Sequence, residues 1–150
     1  MPPRPALDSL QRLAEFGADA ASREVGQRLH RLRNEEERLH QINGYLQHYE
    51  RLAADAGQAL TLGMITDRRR FTERLREAAR QQQKLVVEEE RRYQQQLARW
   101  REARAQALSL QRFNERRREE ADEQLARREQ RQLDEIGLRR TAGPAGTMGG

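Results

Sequence analysis

The sequence predicts an all-α fold, an antiparallel two-helix coiled-coil hairpin whose second helix overhangs the first. Of its 150 residues, 35% are hydrophobic and another 35% are charged, which leaves too few apolar side chains for a compact core. The apolar residues recur at steps of three and four, the spacing of a narrow helical seam. Only four prolines interrupt the chain, so the pattern favours extended helices over disorder.

The first helix is predicted over about residues 7–56. Asp8 can cap its start, and Gln11 stands three residues later, as in a capping box. Gly17 and Gly26 are expected to weaken this helix. The predicted seam consists of Leu10, Leu13, Val25, Leu29, Leu32, Leu39, Leu46 and Ala53.

An uncharged segment, GQALTLGMIT at residues 57–66, predicts a turn that ends in Thr66 as an N-cap. The second helix then runs over about residues 67–136 and is ended by Gly137. We expect residues 1–140 to form the hairpin and residues 141–150 to be a disordered tail. The predicted seam of the second helix consists of Phe71, Leu75, Ala78, Gln82, Leu85, Tyr93, Leu97, Trp100, Ala103, Ala107 and Leu110.

Folding the helices back about this turn pairs residues whose numbers sum to about 124. This pairing places Leu39 against Leu85 and Trp100 beside Val25 and Gly26. The first helix then covers the second only to about residue 117, so that about 20 residues, or about 30 Å, project beyond it. This overhang contains the polar segment RREQRQLDE. Such a segment is either frayed or built to enter another protein, and the arithmetic does not choose between these.

The sequence contains none of the motifs of an enzyme or a metal protein. It has no cysteine, no glycine-rich phosphate loop and no HExxH. His30, His40 and His48 are not spaced to meet on one helical face. We therefore expect a non-enzymatic protein without cofactor or metal. No apolar run is long enough for a membrane span and no signal peptide is recognisable, which predicts a cytoplasmic location.

Two other functions stay open, and the first of them, nucleic-acid binding, follows from the net charge of +5. The arginine tracts DRRRF (67–71) and ERRRE (115–119) could contact phosphates. Acidic residues flank both tracts and no aromatic residues alternate with the arginines, so nucleic-acid binding is the less favoured alternative.

Around residues 42–52 the apolar arc is about 140° wide, broader than one partner helix needs. That width also fits a generic coiled-coil adaptor or a homodimer.

Several segments, in their order along the chain, resemble the FliJ family of the flagellar type III export apparatus, which is related to the YscO-type stalk proteins of injectisomes. The resemblance extends from ALDSLQRLAE to RREQRQLDE and includes Trp100. Its most specific markers are INGYLQHYE, a turn containing GMIT, and FTERLREAA.

The resemblance implies a stalk that binds the hexameric export ATPase, promotes its assembly and activity, and couples it to the large membrane subunit of the export gate. It also implies escort of export chaperones and peripheral association with the inner-membrane apparatus. It implies no small-molecule substrate and no membrane insertion. By matching position, the gate-binding residues are Arg38, Ile42, Tyr45, Tyr49, Phe71, Leu75, Ala78 and Gln82. The ATPase-binding residues are Leu7, Leu10, Leu13, Arg127, Arg128, Gln130, Arg131 and Leu133.

Overall fold

A computed structural model describes residues 4–55 and 61–142 of the chain. Two α-helices account for nearly all of them: α1, Arg4–Asp55, and α2, Leu62–Thr141. The two long helices pack against each other and the described residues contain no strand, which confirms the predicted fold class. Of the predicted turn, residues 57–60 lie outside the described residues, whereas residues 62–66 are helical. Most of the predicted tail, at 143–150, also lies outside the described residues.

Helix α1 begins before its predicted start. Pro5 lies in the first turn, where its missing N–H costs no helical hydrogen bond. The Ser9 hydroxyl donates to the Pro5 carbonyl at 2.8 Å. Asp8 is therefore inside the helix rather than at its N-cap, and its carboxylate accepts a hydrogen bond from Arg118 at 3.2 Å.

Helix α2 begins at Leu62, before the predicted start at about residue 67. Thr61 caps it, because the Met64 amide donates to the Thr61 hydroxyl at 3.3 Å. Thr66, the predicted cap, instead donates its hydroxyl hydrogen to the Leu62 carbonyl at 2.9 Å. The helix also continues past Gly137 to Thr141. A glycine inside a helix costs only about 1 kcal/mol, which a long helix tolerates.

The two helices contribute to two compact units. The central unit is Glu15–Ala105, and the terminal unit consists of Met1–Ala14 with Gln106–Gly150. In the central unit, Gln82 bonds to Glu35 and Arg76 pairs with Glu50. Higher residue numbers in α1 thus meet lower numbers in α2, so the helices of this unit run antiparallel.

In the central unit, the seam of α2 matches the prediction at Leu75, Gln82, Tyr93, Trp100 and Ala103 and lies one residue away from it at three other positions. Phe71, Ala78 and Leu85 are exposed. The covered positions recur at alternating steps of three and four, and their list begins Arg68, Thr72, Leu75, Ala79, Gln82, Val86, Glu89, Tyr93, Gln96 and Trp100. Apolar spacing misplaced these positions because Phe71 and Leu85 are larger apolar residues than their covered neighbours Thr72 and Val86.

Two predicted packing contacts are wrong. Leu85, expected against Leu39, is 51% exposed. Gly26 is also exposed, and a Cβ at this position would meet no atom within 4 Å beyond its local backbone, so Trp100 does not pack against it.

Within the described residues, neither helix has a stretch apolar enough to cross a bilayer.

The ion pair between Glu88 and Arg91 in α2 is expected to make the stability of the chain depend on pH. The hydrogen bond from Arg91, at 2.6 Å, lowers the pKa of Glu88 from 4.5 to about 2, with a further contribution from Arg92. A lowered carboxyl pKa means stability that is present above the unfolded pKa and lost as the pH falls through the folded one. We expect the Glu88 carboxyl signal to titrate near pH 2 by ¹³C NMR, and to move toward 4.5 in Arg91→Gln. A Glu88 titration near 4.5 in the unmodified chain would contradict this pairing.

Candidate functional site

The seam of the central unit has two different sides. Residues that directly follow a core residue in the sequence form one side. Arg76 and Glu50, which follow Leu75 and Tyr49, show this because they form an ion pair of 3.2 Å between the helices. In an antiparallel pair, residues that precede core positions must then share the opposite side. We call the first side the charged flank and the second the apolar flank.

The apolar flank carries large hydrophobic side chains that are open to solvent. Tyr45 is 61% exposed, and the side chains that accompany it on this flank are also exposed. They come from both helices and are Leu52, Met64, Phe71 and Leu85. Large exposed apolar side chains along one flank are typical of a protein-binding surface.

The eight predicted gate-binding residues all lie in the central unit and divide equally between this flank and the seam. Those on the apolar flank are Arg38, Tyr45, Phe71 and Ala78. Those at core positions are Ile42, Tyr49, Leu75 and Gln82. Tyr49 and Phe71 join the two sets, because their rings meet edge to face with centroids 4.7 Å apart. The four core residues support the flank from below.

Gln82 has a structural role in the seam, where its spacing predicted it. It is 8% exposed, and its amide donates to the Glu35 carbonyl at 2.9 Å and to the Glu35 carboxylate at 2.5 Å. Arg38 lies beside this contact, with its guanidinium 3.4 Å from the same carboxylate. Gln82 therefore joins the helices beneath the flank, and most of its surface is unavailable to a partner.

The terminal unit contains the start of α1 and the last part of α2. Leu7 is 6% exposed and lies at a core position. Asn114 is buried beside it and donates its amide hydrogen to the Gln11 side-chain oxygen at 2.6 Å. Leu10 and Leu13, which were predicted at the seam, are exposed. Of these three predicted ATPase-binding leucines, only Leu10 and Leu13 therefore present side chains to a partner.

Every residue from Asp122 to Ala142 is exposed, and we call the helical part of this stretch, residues 122–141, the free segment. It contains the other five predicted ATPase-binding residues, Arg127, Arg128, Gln130, Arg131 and Leu133. Gln130 also donates its amide hydrogen to Asp134 at 3.1 Å along the helix. The predicted overhang is thus present and helical in the terminal unit.

Three of the four large apolar residues of the free segment lie away from the seam line. Continued at the same spacing, the core positions would be Gln124, Arg128, Arg131, Glu135 and Leu138, and most of these are polar. The exposed Leu125, Leu133 and Ile136 instead fall within about 80° of one another, about 130° from that line. The sequence analysis missed Leu125 and Ile136, because their position on a different face can be recognised only once the core positions of the helix are known. A stripe on a new face indicates a contact other than continued coiled-coil pairing.

The described residues contain no cluster of three or more histidine, aspartate or glutamate side chains that could hold a metal ion. The candidate sites that contain predicted partner-binding residues are the apolar flank of the central unit and the free segment of the terminal unit.

Comparison with known proteins gives one match. The model of the family described as "Flagellar FliJ protein" matches residues 3–146, which is nearly the whole chain. No curated protein and no solved structure matches the chain.

Proposed function

The chain belongs to the flagellar FliJ protein family, and from this premise we propose that it is a stalk that binds the hexameric export ATPase through its free segment. As a family member it is a non-enzymatic component of flagellar protein export and interacts with the export apparatus. The proposal adds the partner and the contact. The free segment promotes assembly of the ATPase ring and raises its rate of hydrolysis.

The observation that carries the proposal is the uncovered helix at residues 122–141. An isolated helix of about 20 residues gains little stability in water, so a partner that packs on it would stabilise it further. Its mixed charges keep apolar adhesion low, while Leu125, Leu133 and Ile136 offer a narrow stripe for docking. Such a surface suits a contact that must rearrange inside a ring during hydrolysis.

The apolar flank supports the second part of the proposal, contact with the large membrane subunit of the export gate. Tyr45 and Phe71 are exposed aromatic side chains of the kind that anchor interfaces. The stalk would then act at the cytoplasmic side of the inner membrane, holding the ATPase and the gate together. Escort of export chaperones is a further role that we propose from family membership.

We expect the fragment 1–121 to lose its stimulation of the cognate export ATPase, because the fragment retains the covered residues of both helices but no free segment. The measurements are the hydrolysis rate and ring assembly by sedimentation, with full-length protein as reference. Circular dichroism controls for helicity. Equal stimulation by the fragment would show that the free segment does not contact the ATPase. It would favour the generic coiled-coil adaptor over the stalk.

A second pair of variants separates the two faces of the free segment. Alanine at Leu125, Leu133 and Ile136 removes the apolar stripe, and alanine at Gln124, Arg128 and Arg131 removes the polar face on the seam line. We expect the first variant to lose at least tenfold in ATPase affinity and the second to lose less. The reverse order would show that the polar face makes the contact.

A further inference from the structure

A cavity of about 590 Å³ lies in the central unit, near the start of α2. It is distinct from both surfaces described above. Its two charged-flank residues of opposite sign, Arg76 and Glu50, mark it as part of the opposite side from Tyr45 and Phe71. The side chains that line it are Glu50, Ala53, Ile65, Arg68, Arg69, Thr72, Glu73 and Arg76.

Arg68 is the unusual member of this lining. Its Nη1 atom is buried and has no hydrogen-bond partner. Arg76 in the same lining is engaged with Glu50 at 3.2 Å, whereas Arg68 has no carboxylate within 4.0 Å among the described residues. A buried donor without an acceptor is destabilising, and such groups in native proteins call for an explanation. The protein covers this atom in the described conformation, so a ligand oxygen in the cavity supplies the missing acceptor once the Arg68 guanidinium turns toward the cavity.

The charge of the lining selects the class of anion. Three arginines stand against two glutamates, which leaves one positive charge. A singly charged carboxylate neutralises that charge. A phosphate dianion would bring a second negative charge close to Glu50 and Glu73, which would repel it. Guanidinium groups bind carboxylates and phosphates alike in a two-point geometry, so the charge of the lining decides between them.

The apolar part of the lining restricts the ligand further. Ala53 and Ile65 present hydrocarbon next to the arginines, so an aliphatic side chain beside the acid could be buried there. We propose that this cavity binds the carboxylate of an aspartate or glutamate in a partner protein, within a segment where an aliphatic residue adjoins the acid.

This site is independent of the proposed ATPase and gate contacts. None of its eight lining residues belongs to the free segment or to the predicted gate-binding set. A failure of either proposal therefore leaves the other intact, and the experiment needs only the full-length chain and a peptide.

The probe is the blocked peptide acetyl-Ala-Ile-Glu-Ala-amide, titrated into the full-length chain while the arginine side-chain signals are followed by ¹H–¹⁵N NMR. We expect a saturable shift of the Arg68 guanidinium signals. The matched peptide with glutamine in place of glutamate should bind at least tenfold more weakly, because it lacks the charge that strengthens these hydrogen bonds. Inorganic phosphate should also bind more weakly than the glutamyl peptide.

Two variants decide whether Arg68 itself makes the contact. Arg68→Gln should abolish the saturable binding, whereas Arg74→Gln removes the same charge from an exposed position outside the cavity and should leave binding within about twofold. Arg68→Met, which removes the unpartnered donor, should keep or raise the melting temperature. The proposal is overturned by equal losses in the two glutamine variants, by preference for phosphate, by absence of saturable binding, or by a lower melting temperature in Arg68→Met.

Discussion

Replacing Leu32 with alanine is expected to lower the free energy of unfolding by about 2–5 kcal/mol. Leu32 is 4% exposed, and among the described residues of the central unit no apolar side chain is more deeply buried. A two-helix seam has few layers with which to fill the space left by the missing side chain, so the lost burial and the new cavity both count. Urea unfolding followed by circular dichroism measures the change.

Leu85→Ala is the matched control for this experiment. The same side chain is removed, but Leu85 is 51% exposed on the apolar flank, so we expect a loss below about 1 kcal/mol. Similar losses in the two variants would mean that Leu85 occupies the seam and that the register described here is displaced by one residue. Leu85→Ala should instead weaken binding to the export gate if the apolar flank makes that contact.

The fold class could be predicted because low hydropathy and steps of three and four leave few alternatives to paired helices. The register of α2 was predicted only in part. Gln82 was placed in the seam by its spacing, but Glu89 and Gln96 also occupy core positions, and hydrophobic periodicity cannot identify a polar core residue. Phe71 and Leu85 were assigned to the seam because they are large and apolar, although both lie on the neighbouring face.

The candidate site was recoverable from the sequence only in part. The resemblance supplied the eight residues of the predicted gate-binding set, but not which of them face solvent. That division depends on which side of the seam each helix presents, which follows from antiparallel packing. The cavity beside Arg68 was beyond the sequence analysis, which considered its arginine tract only as a contact for phosphates and could not show a buried guanidinium nitrogen without a partner.

The seam of the central unit contains a charged layer formed by Arg28 and Glu89. Replacing one of these residues should lower the free energy of unfolding, whereas replacing both should not. Arg28 Nη1 and Glu89 Oε2 lie 4.0 Å apart, and neither atom has a hydrogen bond. Glu89→Leu leaves the Arg28 guanidinium without this carboxylate in the seam. We expect a loss of about 3 kcal/mol, the lower end of the range for broken buried pairs, since the Arg28 side chain remains 32% exposed.

Replacing both residues with leucine is expected to leave the free energy of unfolding unchanged or to raise it by about 1–4 kcal/mol, because two dehydrated charges give way to apolar packing. Arg92→Leu serves as a control. It removes only the more exposed partner of Glu89, 3.2 Å away, and should cost less than about 1 kcal/mol. A double variant as unstable as Glu89→Leu would show that the pair is a net stabilising contact.

The double variant also tests why a charged layer occurs in this seam. Charged core residues in paired helices can restrict register and partner number at a cost in stability. An all-leucine layer would accept other helices as readily as its own partner. We therefore expect the double variant to self-associate more strongly than the unmodified chain in sedimentation equilibrium while unfolding at higher urea concentration. An unchanged association state would mean that the remaining polar core residues, Gln82 and Gln96, suffice to specify the pairing.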